Sequence, residues 1–170
     1  MADPRTAILI TCDDAHEGGF QDAHDDRANW TGGEIGVGTL VGTKYGITCL
    51  DLPGVSIKDL TLDEAVNFYC NRYWKVFYSQ IIDQAVANKI FDFGVLFGIG
   101  TAVKILQEVL KIGADGTFGE ETLAAVNEAD SVSLLLAYRT AFVQHALKIG
   151  ADRPSEREFV SGWIRRINGD

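Results

Sequence analysis

The chain has 170 residues, 46% of them hydrophobic and 23% charged, which suits one globular domain with a sizeable core, with or without a small appended lobe. A formal net charge of −9 at pH 7, with no basic stretch to offset it, excludes electrostatic binding to nucleic acid or anionic lipid. Cys12, Cys49 and Cys70 are odd in number and widely spaced, with no CxxC pair and no close His–Cys grouping, so the pattern argues for reduced, mostly buried thiols and against a zinc site.

Residues 1–16 carry Arg5 but also Asp3, Asp13 and Asp14, and the apolar run AILI is too short for a signal peptide. No stretch approaches the length of a membrane span. The expectation is a protein made in the cytoplasm that acts outside only if something else releases it.

PRTAILITCDDAH, residues 4–16, reads as a first helix, with Pro4 in its first turn and Gly18–Gly19 as its stop. Residues 20–60 carry glycines at 32, 33, 36, 38, 42, 46 and 54 with no helical period. GEIGVGTLVGTKYGIT reads as a twisted hairpin or small glycine-rich sheet. TLDE, residues 61–64, is a capping box that opens a helix through AVNFYCNRYW. A helical pattern continues over 76–90, and FDFGVLFGIG, 91–100, reads as a short buried helix. TAVKILQEVLKIG is amphipathic and stops at Gly113; ADG, 114–116, is a turn. TFGE, 117–120, has the spacing of a second capping box and opens a helix through Asn127. A long helix ends at Gly150, and a last one begins around Pro154 and carries Trp163. The layout is mainly α with one small early β-rich lobe.

Several side chains are candidates for chemistry. Glu17 stands at the expected end of the first helix, where unpaired carbonyls and the neighbours Asp13 and Asp14 all oppose its ionisation. A glutamate kept partly protonated is what a glycosidase uses to protonate a leaving oxygen; the plain alternative is a surface glutamate before a glycine stop. Asp25 and Asp26 follow the glycine turn, and a second carboxylate there could activate water or steady a sugar cation. DAHDDR is polar throughout, so a solvated acidic loop explains it equally simply. In TKYGIT, the Thr43 hydroxyl can orient a water, while Tyr45 and Gly46 line a close approach; strand propensity accounts for the same residues. Tyr69, Tyr73 and Trp74 offer faces on which sugars stack, although helical aromatics are more often core. Asp92, inside the apolar FDFG, must be satisfied by hydrogen bonds or face a cleft. HExxH, GxSxG and GxxxxGK[ST] are absent, so metalloprotease, serine hydrolase and nucleotide chemistry have no support.

EGGF, TKYGIT and LTLDEAVNFYCNRYW, in that order, resemble glycoside hydrolase family 108, the lysozyme-like muramidases common among phage and prophage endolysins. IFDFGVLFGIGTAVKILQ, DGTFGEETLAAVN, the Arg139 helix and GWIRR at 162–166 are similar to the predicted peptidoglycan-binding domain that usually follows. The resemblance implies a lysozyme-like fold with its cleft between the β-rich lobe and the helical bundle. It divides the chain into a catalytic region, 1–90, and a binding region, 91–170, packed as one globular unit. It makes Glu17 the general acid, with Asp26 and Thr43 completing the trio; Tyr45, Gly46, Tyr73 and Asp92 are the candidate substrate contacts read from the residues themselves. It implies no metal or organic cofactor, and peptidoglycan as the partner of a monomer that waits for a holin. The expected reaction is hydrolysis of the β-1,4 bond from N-acetylmuramic acid to N-acetylglucosamine. The alternatives are a non-catalytic wall-binding module, a glucosaminidase or a lytic transglycosylase. Relative to the family pattern, EIGVGTLVG stands as an insertion between Gly32–Gly33 and Thr43, and the proline-rich loop is replaced by DAHDDRANWTGG.

Overall fold

A computed structural model describes residues 1–12 and 19–169. Glu17, with Asp13, Asp14 and His16, lies outside the described residues. Among the described residues the chain forms seven α-helices and one two-stranded ladder, a mainly α architecture with a small β part, as expected. It divides into two compact units, Ile8–Arg72 and Met1–Ala7 with Tyr73–Asp170.

Helix α1 (Pro4–Thr11) starts where Asp3 accepts hydrogen bonds from the Thr6 backbone N–H at 2.8 Å and the Thr6 hydroxyl at 2.6 Å, with Pro4 in the first turn. It ends at Thr11 and Cys12 is in a turn; the remainder of the expected helix lies outside the described residues. The glycine-rich stretch that follows is mostly turns. Its regular part is a hairpin of β1 (Thr43–Lys44) and β2 (Ile47–Thr48), with Thr43 opposite Thr48 and Lys44 opposite Ile47. Both central residues of the turn have positive φ, 54° at Tyr45 and 70° at Gly46, as a two-residue hairpin twisted to match its strands requires. Tyr45 is not a glycine, and the buried Tyr69 hydroxyl holds it there by donating to its carbonyl at 2.8 Å. Gly36 and Gly38 also take positive φ, 79° and 82°. That turns the chain too sharply for the strands expected in GEIGVGTLVG, and two isolated bridges remain, Gln21–Thr43 and Trp30–Leu40.

Helix α2 (Leu62–Tyr73) opens with the expected capping box. The Thr61 backbone N–H donates to Glu64 at 2.8 Å and the Glu64 N–H returns a bond to the Thr61 hydroxyl at 3.3 Å.

In the larger unit a 3-10 helix, Val76–Gln80, precedes α3 (Gln84–Phe97), which Asp83 caps by accepting from the Val86 N–H. The expected short helix over 91–100 is the second half of α3, because nothing in FDFG breaks a hydrogen-bonded run until Gly98 takes φ 88°. Helix α4 (Ile99–Leu110) ends at Lys111, itself left-handed at φ 59°, and not at Gly113. The TFGE capping box does not form. Helix α5 (Glu120–Glu128) starts after Gly119 without a side-chain cap, because the Thr117 N–H is held by Asp115 at 2.8 Å and Phe118 is buried against Tyr78. Helix α6 (Ser131–Asp152) passes through Gly150, which is no stop: a Cβ there would lie 2.6 Å from Val160 of α7 (Arg157–Asn168), so the glycine lets two helices touch. The core is aromatic at its centre, where the Phe93 and Phe142 rings meet tilted with centroids 4.1 Å apart and the buried Tyr138 hydroxyl donates to the Ala102 carbonyl at 2.8 Å. Burying a side chain of this size is worth about 1.5–3 kcal/mol.

The Thr61 N–H, and after it the Thr61 hydroxyl, hold the Glu64 carboxyl below its ordinary value of 4.5. A depressed folded value means stability that is present above the unfolded pKa and lost as pH falls through the folded one. The melting-temperature difference between wild type and Glu64→Gln is therefore expected to be present at neutral pH and to shrink once pH falls below about 4.5; a thermal-melt series against pH checks it.

Candidate active site

The polar centre of the smaller unit is built on a 3-10 helix, Arg27–Asn29. Asp26 caps it, one carboxylate oxygen accepting from the Ala28 N–H at 2.9 Å. Asn29 is fully buried, at 0% exposure. Its main-chain carbonyl accepts from the N–H groups of Val41 and Gly42 at 2.8 and 3.2 Å, which fastens the returning strand to the helix. Gln21 joins the same strand through paired backbone bonds with Thr43 at 2.9 and 2.8 Å.

The strand comes this close because residue 42 is glycine. Gly42 has φ 81°, and a Cβ on it would lie 2.6 Å from both the Gln21 carbonyl and the Phe20 ring.

Side chains complete the arrangement. The Asn29 and Gln21 amides face each other and exchange hydrogen bonds of 2.8 and 3.1 Å. Asn29 Nδ2 also donates to the Ala23 carbonyl at 2.9 Å, and the Ala23 N–H donates to Gln21 Oε1 at 3.0 Å. The second Asp26 oxygen accepts from Gln21 Nε2 at 3.2 Å, and the Thr43 hydroxyl donates to Asn29 Oδ1 at 2.8 Å. Asp26 and Thr43 are thus linked through two amides and not by direct contact. A pocket of about 310 Å³ in this unit is lined by Phe20, Asp22, Val41, Ser56 and Lys58, flanking Gln21 and Gly42 in the chain. A larger one, about 510 Å³, is lined by Leu60, Asn67, Phe68 and Arg72, away from Asp26 and Thr43.

Of the residues singled out in the sequence, Asp26, Thr43, Tyr45 and Gly46 belong to this unit, the last two as the hairpin turn that follows β1. Glu17 lies outside the described residues. Asp25 is exposed. Tyr69 is buried and braces the turn, while Trp74 packs edge-on against Tyr78 and contacts Phe91; both fit the core reading. Tyr73 closes α2 half-buried and belongs to the larger unit, as does Asp92. There Asp92 is 7% exposed, with Arg166 Nε at 3.0 Å from one oxygen and Lys89 Nζ at 3.8 Å from the other. Cys12 is buried, and Cys49 and Cys70 are half-buried with free thiols. Gln21, Asn29 and Gly42 were not evident from the sequence, because their partners lie up to 22 residues away, as Gln21 to Thr43, and follow no helical or strand period.

A chain that is mainly helical with a small β part and a buried polar centre in its N-terminal half falls in one fold class with a solved protein. SagA of Brucella abortus superposes with a TM-score of 0.71 at 26% identity, over 96% of this chain and 88% of that one. The chain belongs to the glycosyl hydrolase 108 family, whose pattern matches residues 14–98, and a region described as a predicted peptidoglycan domain follows at 101–168. It is a glycoside hydrolase acting on peptidoglycan. No curated protein matches it. No helix among the described residues is long and apolar enough to cross a membrane.

The surroundings of Asp92 favour a role in holding helices together. Removing one member of a buried ion pair strands the other charge, at a cost of about 3–5 kcal/mol. Asp92→Ala is expected to lose stability of that order in chemical denaturation; a variant as stable as wild type would return Asp92 to the list of substrate contacts.

Proposed function

We propose that the protein is an endolysin-type muramidase that hydrolyses the β-1,4 bond between N-acetylmuramic acid and N-acetylglucosamine. Glu17 serves as general acid, and Thr43, supported by Asp26, holds the attacking water. The observation that carries this reading is the hydrogen-bonded connection from Asp26 through Gln21 and Asn29 to the Thr43 hydroxyl, inside the segment that matches the hydrolase family. A hydroxyl fixed by a buried amide is a suitable anchor for water, because its own orientation costs nothing further when substrate arrives.

Glu17 lies in the same matched segment. A proton donor of this kind contributes about a hundred- to ten-thousand-fold in rate. Tyr45 and Gly46, next along the chain from Thr43, and Tyr73 are the proposed substrate contacts. In this reading residues 91–170 serve wall association, and a monomer released through a holin reaches the wall.

Glu17→Gln is expected to fold as wild type and to lose at least about a hundredfold in reducing-end release from purified peptidoglycan. Mass spectrometry of the fragments identifies the bond: reducing N-acetylmuramic acid ends support the proposal. Reducing glucosamine ends or anhydromuramyl ends would move the assignment to a glucosaminidase or a lytic transglycosylase. Wall turbidity that falls at the wild-type rate with the variant would remove Glu17 as the acid.

A further inference from the structure

We infer that Gln21 and Asn29 are positioning residues that force the Thr43 hydroxyl to act only as a hydrogen-bond acceptor toward the attacking water, with Asp26 anchoring the far end of the relay. The inference rests on the hydrolase reading above and deepens it at the same site.

The direction of every bond in the relay is determined. A backbone carbonyl only accepts, so the Asn29 atom 2.9 Å from the Ala23 carbonyl must be the NH₂ group. Its oxygen then necessarily faces Thr43. A backbone N–H only donates, so the Gln21 atom 3.0 Å from the Ala23 N–H must be the carbonyl oxygen. Its NH₂ group then faces Asp26. One residue's two main-chain groups fix both amides, and neither can flip without losing hydrogen bonds.

Donation runs from Thr43 to Asn29, from Asn29 to Gln21 and from Gln21 to the Asp26 carboxylate, with a return bond from Gln21 Nε2 to Asn29 Oδ1. Both amides use all four of their hydrogen-bonding positions. An amide oxygen cannot donate, so the Thr43 proton is committed to Asn29 Oδ1. Among the described residues none donates to Thr43 Oγ, and the side chain is half-buried rather than sealed. What it presents is lone pairs alone.

That polarity suits a nucleophilic water. The water gives one hydrogen to Thr43 Oγ and cannot receive one from it, so its own lone pair stays free for the anomeric carbon. As the water oxygen bonds to that carbon, the bond to the leaving sugar breaks. The leaving oxygen takes the proton of Glu17, the water's surplus proton passes to solvent, and Glu17 is reprotonated from solvent. Thr43 carries no proton in this step; it orients. Asp26 reaches the water only through two amides, so it acts as an anchor here and not as the base.

The experiment compares kcat and KM for reducing-end release from purified peptidoglycan, with melting temperature beside each. Thr43→Val is expected to lose about a hundredfold in kcat with KM little changed, and Thr43→Ser to recover most of that loss. Asn29→Asp keeps the volume but sets an oxygen against both Ala23 and Gln21; it is expected to lose about tenfold or more in kcat and nothing further in a Thr43→Val background. If burial makes Asn29→Asp unstable, Gln21→Glu at the exposed end removes the donors to Asp26 and to Asn29 Oδ1 and is expected to show the same coupling. Thr43→Val at near wild-type kcat, or losses that add independently across the double variant, would overturn the inference while leaving the hydrolase standing. A wild type that releases no reducing ends would overturn the hydrolase reading and this inference together. Slow hydrogen exchange at the Asn29 and Gln21 side-chain amides, read by NMR, supports the relay whatever the activity, and fast exchange at both would refute it.

Discussion

Asn29 is the constraint on which the smaller unit depends. An amide with no exposure must fill every one of its hydrogen bonds, because each position left open costs about 1–3 kcal/mol. Those bonds dictate where Gln21, Ala23 and Thr43 stand, and the Asn29 backbone carbonyl dictates where Val41 and Gly42 stand. Residues 20–60 hold few buried apolar side chains among the described residues, Ile47, Ile57 and Leu60 chief among them. A loop-rich segment with so little core is ordered by polar bonds that admit one geometry. The same bonds arrive at the hydroxyl proposed to hold water, so folding this lobe and preparing its chemistry are one process.

The larger unit uses buried polar groups for a different end. Asp92 on α3 meets Arg166 on α7 at 3.0 Å, which joins two stretches that stand out separately in the sequence, IFDFG and GWIRR. Gln107 on α4 does the same over a shorter span. Its NH₂ group donates to Asp115, the Thr117 carbonyl and Thr122, and its oxygen accepts from the Gly116 N–H. The DGTFG turn is thereby tied to the helix before it and the helix after it. These groups hold helices in register around an aromatic core that would otherwise tolerate sliding. The polar atoms of this turn are spent inward, which favours a structural part for DGTFGEET over a wall-binding one.

Helices were legible wherever local chemistry decided them. The Thr61–Glu64 box and the amphipathic run before Lys111 formed as read. The misreadings all involve glycine or a capping pattern overruled by distant contacts. Gly150 serves helix contact because Val160 arrives from another helix, and TFGE fails as a box because Asp115 and Gln107 claim the turn first. Thr43 and Asp26 became candidates through the resemblance of TKYGIT and the acidic loop to a family, whereas nothing in the sequence pointed to the amides between them. A pairing such as Asn29 with Thr43 spans fourteen residues of irregular chain, where neither the 3.6 nor the 2.0 period carries information. Glu17, the foremost candidate of the sequence, lies outside the described residues.

The stretch that departs from the family pattern can now be placed. EIGVGTLVG falls between the 3-10 helix that ends at Asn29 and the strand that begins at Thr43. The residues before it are stitched to its second half: Trp30 bridges to Leu40, the Thr31 N–H donates to the Thr39 carbonyl at 3.0 Å, and the Gly32 N–H donates to the Val37 carbonyl at 3.1 Å. Residues 30–40 therefore form a narrow loop closed by its own hydrogen bonds. The entropic cost of closing a loop rises only slowly with its length, and the bonds at the stem do not change as the tip grows. Asn29 and Thr43 keep their 2.8 Å contact because the stem, and not the number of residues in the loop, sets their separation. An insertion beside a polar centre is tolerated on this ground: it lengthens the chain between two partners without entering the geometry that joins them.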